Sequence, residues 1–388
     1  MKKFFLILLL IFLTGCKGVA VNEIYNKTYN VGEISIATLE EAVMEVADNA
    51  SRAVVGVSKY KDALIGQKLE YTGSGVIYEC RAEMKDGTTV SNCENTLNSQ
   101  NEVKNYLYYV VTNRHVLIGE SASLPNSNTL KVKVYLGDEG LSVDANVIQY
   151  DDKVDLAVLS FKHYSYIQPL AFADSDAIRR GSFVIAIGNP AGHDYYGSTT
   201  FGIVSYKKRY INDDVDWTTG YIQHDAAINS GNSGGALLNL EGKLIGINTL
   251  KLSSSDMDNI YENMGFAIPS NLVREIIDVL ETGSRPVRRT IGIETVNVLD
   301  ILNYEDNNID PNDFALPEGV SFGLYVHSVS PGRPASGKLQ PGDIIQGIAG
   351  QEIRYVYEFR DILNSIADNE VVLTVIRGGQ TIDITLNF

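Results

Sequence analysis

The sequence predicts a mainly β chain followed by a small α+β unit. Three observations lead there. From Ala53 to about Ala267 the apolar runs are short, β-branched or aromatic, and separated by turn residues. A polar link containing proline, Ser284-Arg-Pro-Val-Arg-Arg289, follows a helical pattern that stops at Gly283. The last stretch ends in a legible hairpin, Val371 to Ile376 and Thr381 to Leu386 flanking Arg377-Gly-Gly-Gln380. Many short strands without interleaved helices indicate a barrel or sandwich, not a parallel sheet.

Lys2 and Lys3 precede an unbroken apolar run, Phe4 to Leu13. That run is short of the roughly 20 residues a bilayer span needs, and it suits an export signal. It ends in Leu13-Thr-Gly-Cys16, which resembles the lipobox of bacterial lipoproteins. The resemblance implies residues 1–15 as a cleaved signal peptide, lipidation of Cys16, and a membrane anchor made of several acyl chains. Residues 16–38 read as a tether. Leu39 to Val46 has helical spacing, with Thr38 as its N-cap.

Strands are expected at Val54 to Val57, Gly75 to Tyr78, Leu107 to Thr112, Lys131 to Tyr135, Val143 to Tyr150, Leu156 to Phe161 and Phe183 to Ile187. Further strands fit Phe201 to Tyr206, Ala236 to Leu240 and Lys243 to Asn248, the last two joined at Glu241-Gly242. Pro269 to Leu280 reads as an amphipathic helix. The 388 residues thus divide into a domain at 39–283, a linker at 284–290 and a second domain at 291–388. A formal net charge of -16 leaves no basic stripe to neutralise phosphates, which argues against nucleic acid as a partner.

Cys80 and Cys93 lie in a polar stretch. An even pair in an exported protein reads most simply as a disulfide closing a surface loop, with two free thiols as the alternative. His163, His193, His224 and His327 have no metal-ligand spacing, so no metal and no cofactor are expected. Asp306 to Asp313 spaces oxygen side chains like a calcium loop, but Pro311 and Pro317 stand where that motif needs glycine and glutamate. A solvated insertion is the better reading.

The chemistry concentrates in Asn229-Ser-Gly-Asn-Ser-Gly-Gly235, a glycine-lined turn carrying Ser233. A serine hydroxyl needs a base to take its proton and a cradle for the oxyanion. Val111-Thr-Asn-Arg-His-Val116 offers the base, His115, and Val154-Asp-Leu-Ala-Val-Leu159 offers Asp155 to orient it. The order His, Asp, Ser is that of chymotrypsin-type enzymes and not of subtilisins or α/β-hydrolases.

These segments resemble the HtrA (Deg) family of trypsin-like serine proteases with a C-terminal PDZ domain. The resemblance also rests on Gly73-Ser-Gly-Val-Ile77, Gly188-Asn-Pro190, Gly202-Ile-Val-Ser205, Asp225-Ala-Ala-Ile-Asn229, Gly246-Ile-Asn248 and Gly265-Phe-Ala-Ile-Pro269. In the tail, Val329-Ser-Pro-Gly-Arg-Pro-Ala335 and Leu339-Gln-Pro-Gly-Asp-Ile-Ile345 are similar to PDZ signatures. The family implies a trypsin-like double β-barrel with the triad in its cleft and assembly into homotrimers or larger oligomers, while the export signal and lipobox imply an extracytoplasmic location in the cell envelope. It implies an ATP-independent endopeptidase acting on unfolded or mislocalised proteins, with His115, Asp155 and Ser233 as its triad. Gly231 and Ser233 would supply the oxyanion N–H groups. Ala227, Ile228 and Ile247 would form a substrate pocket for small aliphatic residues, since no acid awaits a lysine or arginine at Ala227. Asp225 lies two residues too early for a pocket acid and is read as structural. Ile291, Gly292 and Ile293 would cradle the carboxylate of C-terminal peptides, with Glu294 to Val298 pairing by β-augmentation.

Three residues depart from the family pattern: Arg114 beside the histidine, Ser230 in place of a proline, and His224 in place of a threonine. Asn232 cannot form the ion pair that an aspartate makes in trypsin-like zymogens, so loop ordering is the expected route to activation. The competing readings are a non-proteolytic chaperone or PDZ adaptor, and a site-specific regulatory protease switched on by a peptide.

Overall fold

The computed structural model describes residues 36–63, 66–119, 130–190, 193–210, 220–249, 263–307 and 309–388. The signal peptide, Cys16 and most of the tether lie outside the described residues. The chain divides into two compact units. One runs up to Arg209 and includes Tyr221–Glu281; the other combines Tyr210–Gly220 with Thr282–Phe388. Helix α1 spans Ile36–Ala50. It starts earlier than the expected Leu39, so Thr38 is not its N-cap and Ile36 to Thr38 belong to the helix and not to the tether.

The first unit holds two sheets. Strands β1 (Val54–Asp62), β2 (Gln67–Met84), β3 (Thr89–Val90), β4 (Val103–Asn113), β5 (Lys131–Leu136), β6 (Leu141–Asp151) and β7 (Leu156–His163) form the first. Its order is β1-β5-β6-β7-β4-β2-β3, and β1 also pairs with β2, which closes six of the strands on themselves. Five-residue helix α2 (Arg114–Ile118) follows β4 directly. Val54, Val55, Val57, Val76, Ile77, Val110 and Val111 are all fully buried, and since consecutive strand residues face opposite ways, both faces of the sheet are covered along these stretches.

The second sheet is a closed barrel of β8 (Phe183–Gly188), β9 (Ser198–Tyr210), β10 (Gly220–His224), β11 (Ala236–Leu238), β12 (Leu244–Thr249) and β13 (Gly265–Pro269). Its core contains Val184, Ala186, Val204, Ile222, Leu237, Ile245 and Ala267. Asn239 builds the β11–β12 turn by accepting N–H groups from Glu241 and Lys243, both at 3.0 Å. Helix α3 (Ser270–Leu280) lays Val273, Ile276, Ile277 and Leu280 against β7 and β12. Its far end is tied to β2, where Tyr78 donates to Glu281 at 2.8 Å and Arg81 reaches the same carboxylate at 3.2 Å. Burial raises the Glu281 carboxyl above its ordinary range.

The double-barrel expectation therefore holds; most strands are longer than the sequence runs suggested, but β11 stops at Leu238 and not at Leu240, and β12 is shifted to Leu244–Thr249. Cys80 on β2 is bonded to Cys93, with a Cα–Cα separation of 5.7 Å.

The second unit is a sheet ordered β14-β15-β16-β18-β19: β14 (Ile293–Asn297), β15 (Leu324–Val329), β16 (Ile344–Ile348), β18 (Glu370–Arg377) and β19 (Gln380–Asn387). Short β17 (Gln351–Glu352) pairs with β16. Helices α4 (Val298–Leu302), α5 (Tyr304–Asn307) and α6 (Val356–Ser365) complete it. Ile291, Leu324, Val326, Ile345, Phe359, Leu363 and Leu373 share its core. The edge strand stops at Asn297, one residue short of expectation, because Val298 opens α4.

Candidate active site

Asp155 sits on the turn between β6 and β7, which Asp151 shapes by accepting the N–H groups of Lys153 and Val154 at 2.8 Å. Its φ of 61° is left-handed, a strained setting for a residue with a Cβ. Four hydrogen bonds hold it there. Its carbonyl accepts from Arg114 N–H and Asn113 Nδ2, both at 3.0 Å. Its carboxylate accepts the His115 backbone N–H at 2.9 Å and pairs with His115 Nδ1 at 2.7 Å. Asp155 is buried, while the His115 side chain keeps 28% of its surface exposed. An imidazole held at Nδ1 in this way keeps Nε2 as its remaining ring nitrogen, the arrangement a general base requires.

Ser233 reaches the same place through β2. Ser74 N–H donates to Ser233 O at 2.8 Å, and Ser74 Oγ donates to Gly231 O at 2.7 Å. A Cβ on Gly73 would meet Val116 Cγ2 at 2.7 Å and Ser233 O at 3.0 Å. The helix turn carrying His115 and the loop carrying Ser233 thus both crowd the one position where a Gly73 side chain would stand. Among the described residues, no hydrogen bond joins Ser233 Oγ to His115.

The loop itself is tightly turned. Gly231 has φ 101° and Gly234 has φ 83°. A Cβ on Gly234 would lie 2.1 Å from Ser74 O, so only glycine fits. Asn232 N–H donates to Asn229 O, Gly235 N–H to Asn232 O and Gly234 N–H to Asn248 O, each at 2.9 Å. The N–H groups of Gly231 and Ser233 have no partner among the described residues, leaving two donors for an oxyanion. Asn232 is buried against Gly188, whose Cβ would meet its Oδ1 at 2.6 Å.

Of the expected pocket residues, Ala227 is exposed and Ile228 is half-buried, packed on the barrel core. Ile247 has no exposed surface, being paired with Ala236 and Ile268 in the barrel wall, so it is not open to a substrate in this structure. Asp225 accepts Ile203 N–H at 2.6 Å, a structural bond as expected. His224 is fully buried, and its ring nitrogens make no hydrogen bond of ordinary geometry, the Ala226 backbone and the Asn248 side chain being its polar neighbours. Burial, opposed by the Asp225 charge, pushes its pKa down to about 4.

In the second unit Ile291 is buried and its carbonyl accepts Ala335 N–H at 3.0 Å. Gly292, with φ 78°, accepts Ser330 N–H at 2.8 Å, and Ile293 opens β14. Ser74 and Asn189 were not singled out from sequence. Both lie within the quoted glycine motifs, the one signal that could have pointed to them.

Residues 97–247 match the trypsin-like peptidase domain and residues 290–388 the PDZ domain. The chain is 31% identical over 385 residues to the Serine protease Do-like HtrA of Lactobacillus helveticus, covering 95% of this chain and 90% of that one. It is 37% identical over 279 residues to the Serine protease Do-like HtrA of Bacillus subtilis (strain 168), covering 70% of this chain but 58% of that relative. The chain therefore spans little more than half of the latter's length. Among solved structures, the HtrA-type protease AlgW with decapeptide matches with a TM-score of 0.62 at 27% identity, over 89% of this chain and 97% of that chain.

Proposed function

Because the chain belongs to the HtrA family of Do-like serine proteases, with a trypsin-like protease domain followed by a PDZ domain, we propose that it is an ATP-independent endopeptidase of the cell envelope. Its substrates are unfolded or mislocalised proteins. The observation that carries this reading is the double hold of Asp155 on His115, with Ser233 brought to the same point on β2. In the proposed reaction, neutral His115 takes the Ser233 proton as the hydroxyl attacks a peptide carbonyl. Asp155 keeps the tautomer and stabilises the imidazolium. The free N–H groups of Gly231 and Ser233 receive the oxyanion. As it collapses, the peptide C–N bond breaks and His115 returns its proton to the departing amine. Water, deprotonated by His115, then releases the acyl group, and Ser233 regains its proton. The Ser233–His115 hydrogen bond closes when substrate binds, as apo sites of this type commonly tighten.

Exposed Ala227 and half-buried Ile228 support a preference for small aliphatic residues before the cut. Peptide binding by the PDZ domain would use Ile291, Gly292 and Ile293 beside the edge strand β14; a similar protein, AlgW, has been solved with a decapeptide. Anchoring through lipidated Cys16 is proposed from the lipobox; no described helix is long and apolar enough to cross a membrane. Self-association as a homotrimer or larger assembly is supported by the exposed, stacked pair Phe183 and Phe201 on the second barrel.

The test is casein turnover by protein lacking residues 1–16, against Ser233→Ala. Equal behaviour of the two would favour the adaptor reading, and turnover only after adding an apolar C-terminal peptide would favour the regulatory protease.

A further inference from the structure

We propose that Ser74 is a positioning residue for the oxyanion site: its buried hydroxyl holds the Gly231 carbonyl and thereby sets the direction of the neighbouring N–H donors. This rests on Ser233 being the nucleophile.

A serine hydroxyl has one hydrogen to give and lone pairs to receive. Ser74 gives that hydrogen to Gly231 O at 2.7 Å and receives Asn189 N–H at 2.8 Å. The hydrogen-bond chain therefore runs one way, from Asn189 through Ser74 to Gly231. Ser74, Asn189 and Gly231 are all buried, so bulk water cannot take over if the hydroxyl is lost. A buried carbonyl left without a donor is costly, and the surrounding backbone moves to relieve it wherever it can. Here it can. Gly231 has no Cβ and already sits at φ 101°, so it is the soft point of the loop. Rotation about φ and ψ of Gly231 re-orients its carbonyl, in the peptide that follows, relative to its N–H, in the peptide that precedes. Without the Ser74 bond the line of that N–H, one of the two oxyanion donors, is no longer fixed.

The other bonds of Ser74 show why this residue suits the task. Its N–H holds Ser233 O at 2.8 Å, and its carbonyl accepts Thr112 Oγ1 at 2.6 Å, on the strand that leads into His115. One residue thus touches both sides of the site through its backbone and steers the oxyanion loop through its side chain. Replacing the side chain leaves the two backbone-atom bonds in place, which isolates the hydroxyl's contribution.

The experiment uses the full chain in detergent with an apolar C-terminal peptide present, comparing wild type, Ser74→Ala, Ser74→Cys and Ser233→Ala. The readouts are kcat and KM on a short peptide ester with valine before the cut, affinity for a peptidyl boronate whose oxygen occupies the oxyanion site, and thermal unfolding. Ser74→Ala is expected to lower kcat by about tenfold or more, weaken boronate binding by a similar factor, and leave KM within about twofold. Ser74→Cys, close in volume but a poorer donor, should fall between. Wild-type kcat and boronate affinity in Ser74→Ala, with Ser233→Ala inert, would overturn the positioning role and leave the protease reading standing. An active Ser233→Ala would instead sink the reading beneath it. Should Ser74→Ala fail to fold, wild-type kinetics in Ser74→Cys would overturn the inference, and a reduced kcat at unchanged KM would support it.

Discussion

Asp155 accepts two hydrogen bonds from His115, one from its backbone N–H at 2.9 Å and one from its imidazole Nδ1 at 2.7 Å. The paired bonds fix both the position of the residue and the tautomer of its ring. Asp155→Asn should keep the fold, because asparagine tolerates the left-handed φ of 61° found here. Its amide supports the wrong tautomer, so kcat on a peptide ester should fall by about four orders of magnitude. A loss of less than tenfold would remove Asp155 from the triad.

Gly234→Ala adds a Cβ 2.1 Å from Ser74 O at a φ of 83°. Close contact with backbone and a left-handed angle act together, so the variant should lose about 2 kcal/mol or more of stability by denaturant unfolding. Activity should fall with it, because Ser233 is the adjacent residue.

His224 gives a pH dependence with a definite sign. Burial lowers its folded-state pKa from 6.5 to about 4, so between those values the unfolded chain binds the extra proton. Stability from this group is fully present above pH 6.5 and is lost as pH falls toward 4, amounting to about 3 kcal/mol. His224→Gln should flatten the unfolding free energy across that window, and an unchanged slope would show that the ring is not the group responsible.

Cys80 and Cys93 are separated by 13 residues in sequence. Closing a loop of that size restricts the unfolded chain and is worth about 3 kcal/mol. Reduction, or a Cys80→Ser and Cys93→Ser double variant, should lower the unfolding temperature of the protease domain. Equal melting with and without reductant would show that the bridge is absent in solution.

Much of the site was legible because its chemistry is local. The glycines around Ser233 and the short motifs around His115 and Asp155 announce their groups within a few residues, and their order along the chain narrows the enzyme class. The strand Gly220 to His224 was harder to see, being short and supported mainly by its pairing with Gly265 to Ala267. Ile247 was misplaced as a pocket wall because an apolar strand residue carries no mark of which barrel surface it faces once both sides are covered.

The sequence by itself determined which side chains are offered for acyl transfer and which runs form strands, though not where most of them begin, since alternation and turn chemistry are properties of near neighbours. Only the tertiary structure decided that Ser74 supports Gly231 across a separation of 157 residues, or that Asp155 accepts a left-handed backbone. Those features follow from the closure of two barrels. Closure brings distant loops to one strand, and no local pattern encodes that meeting.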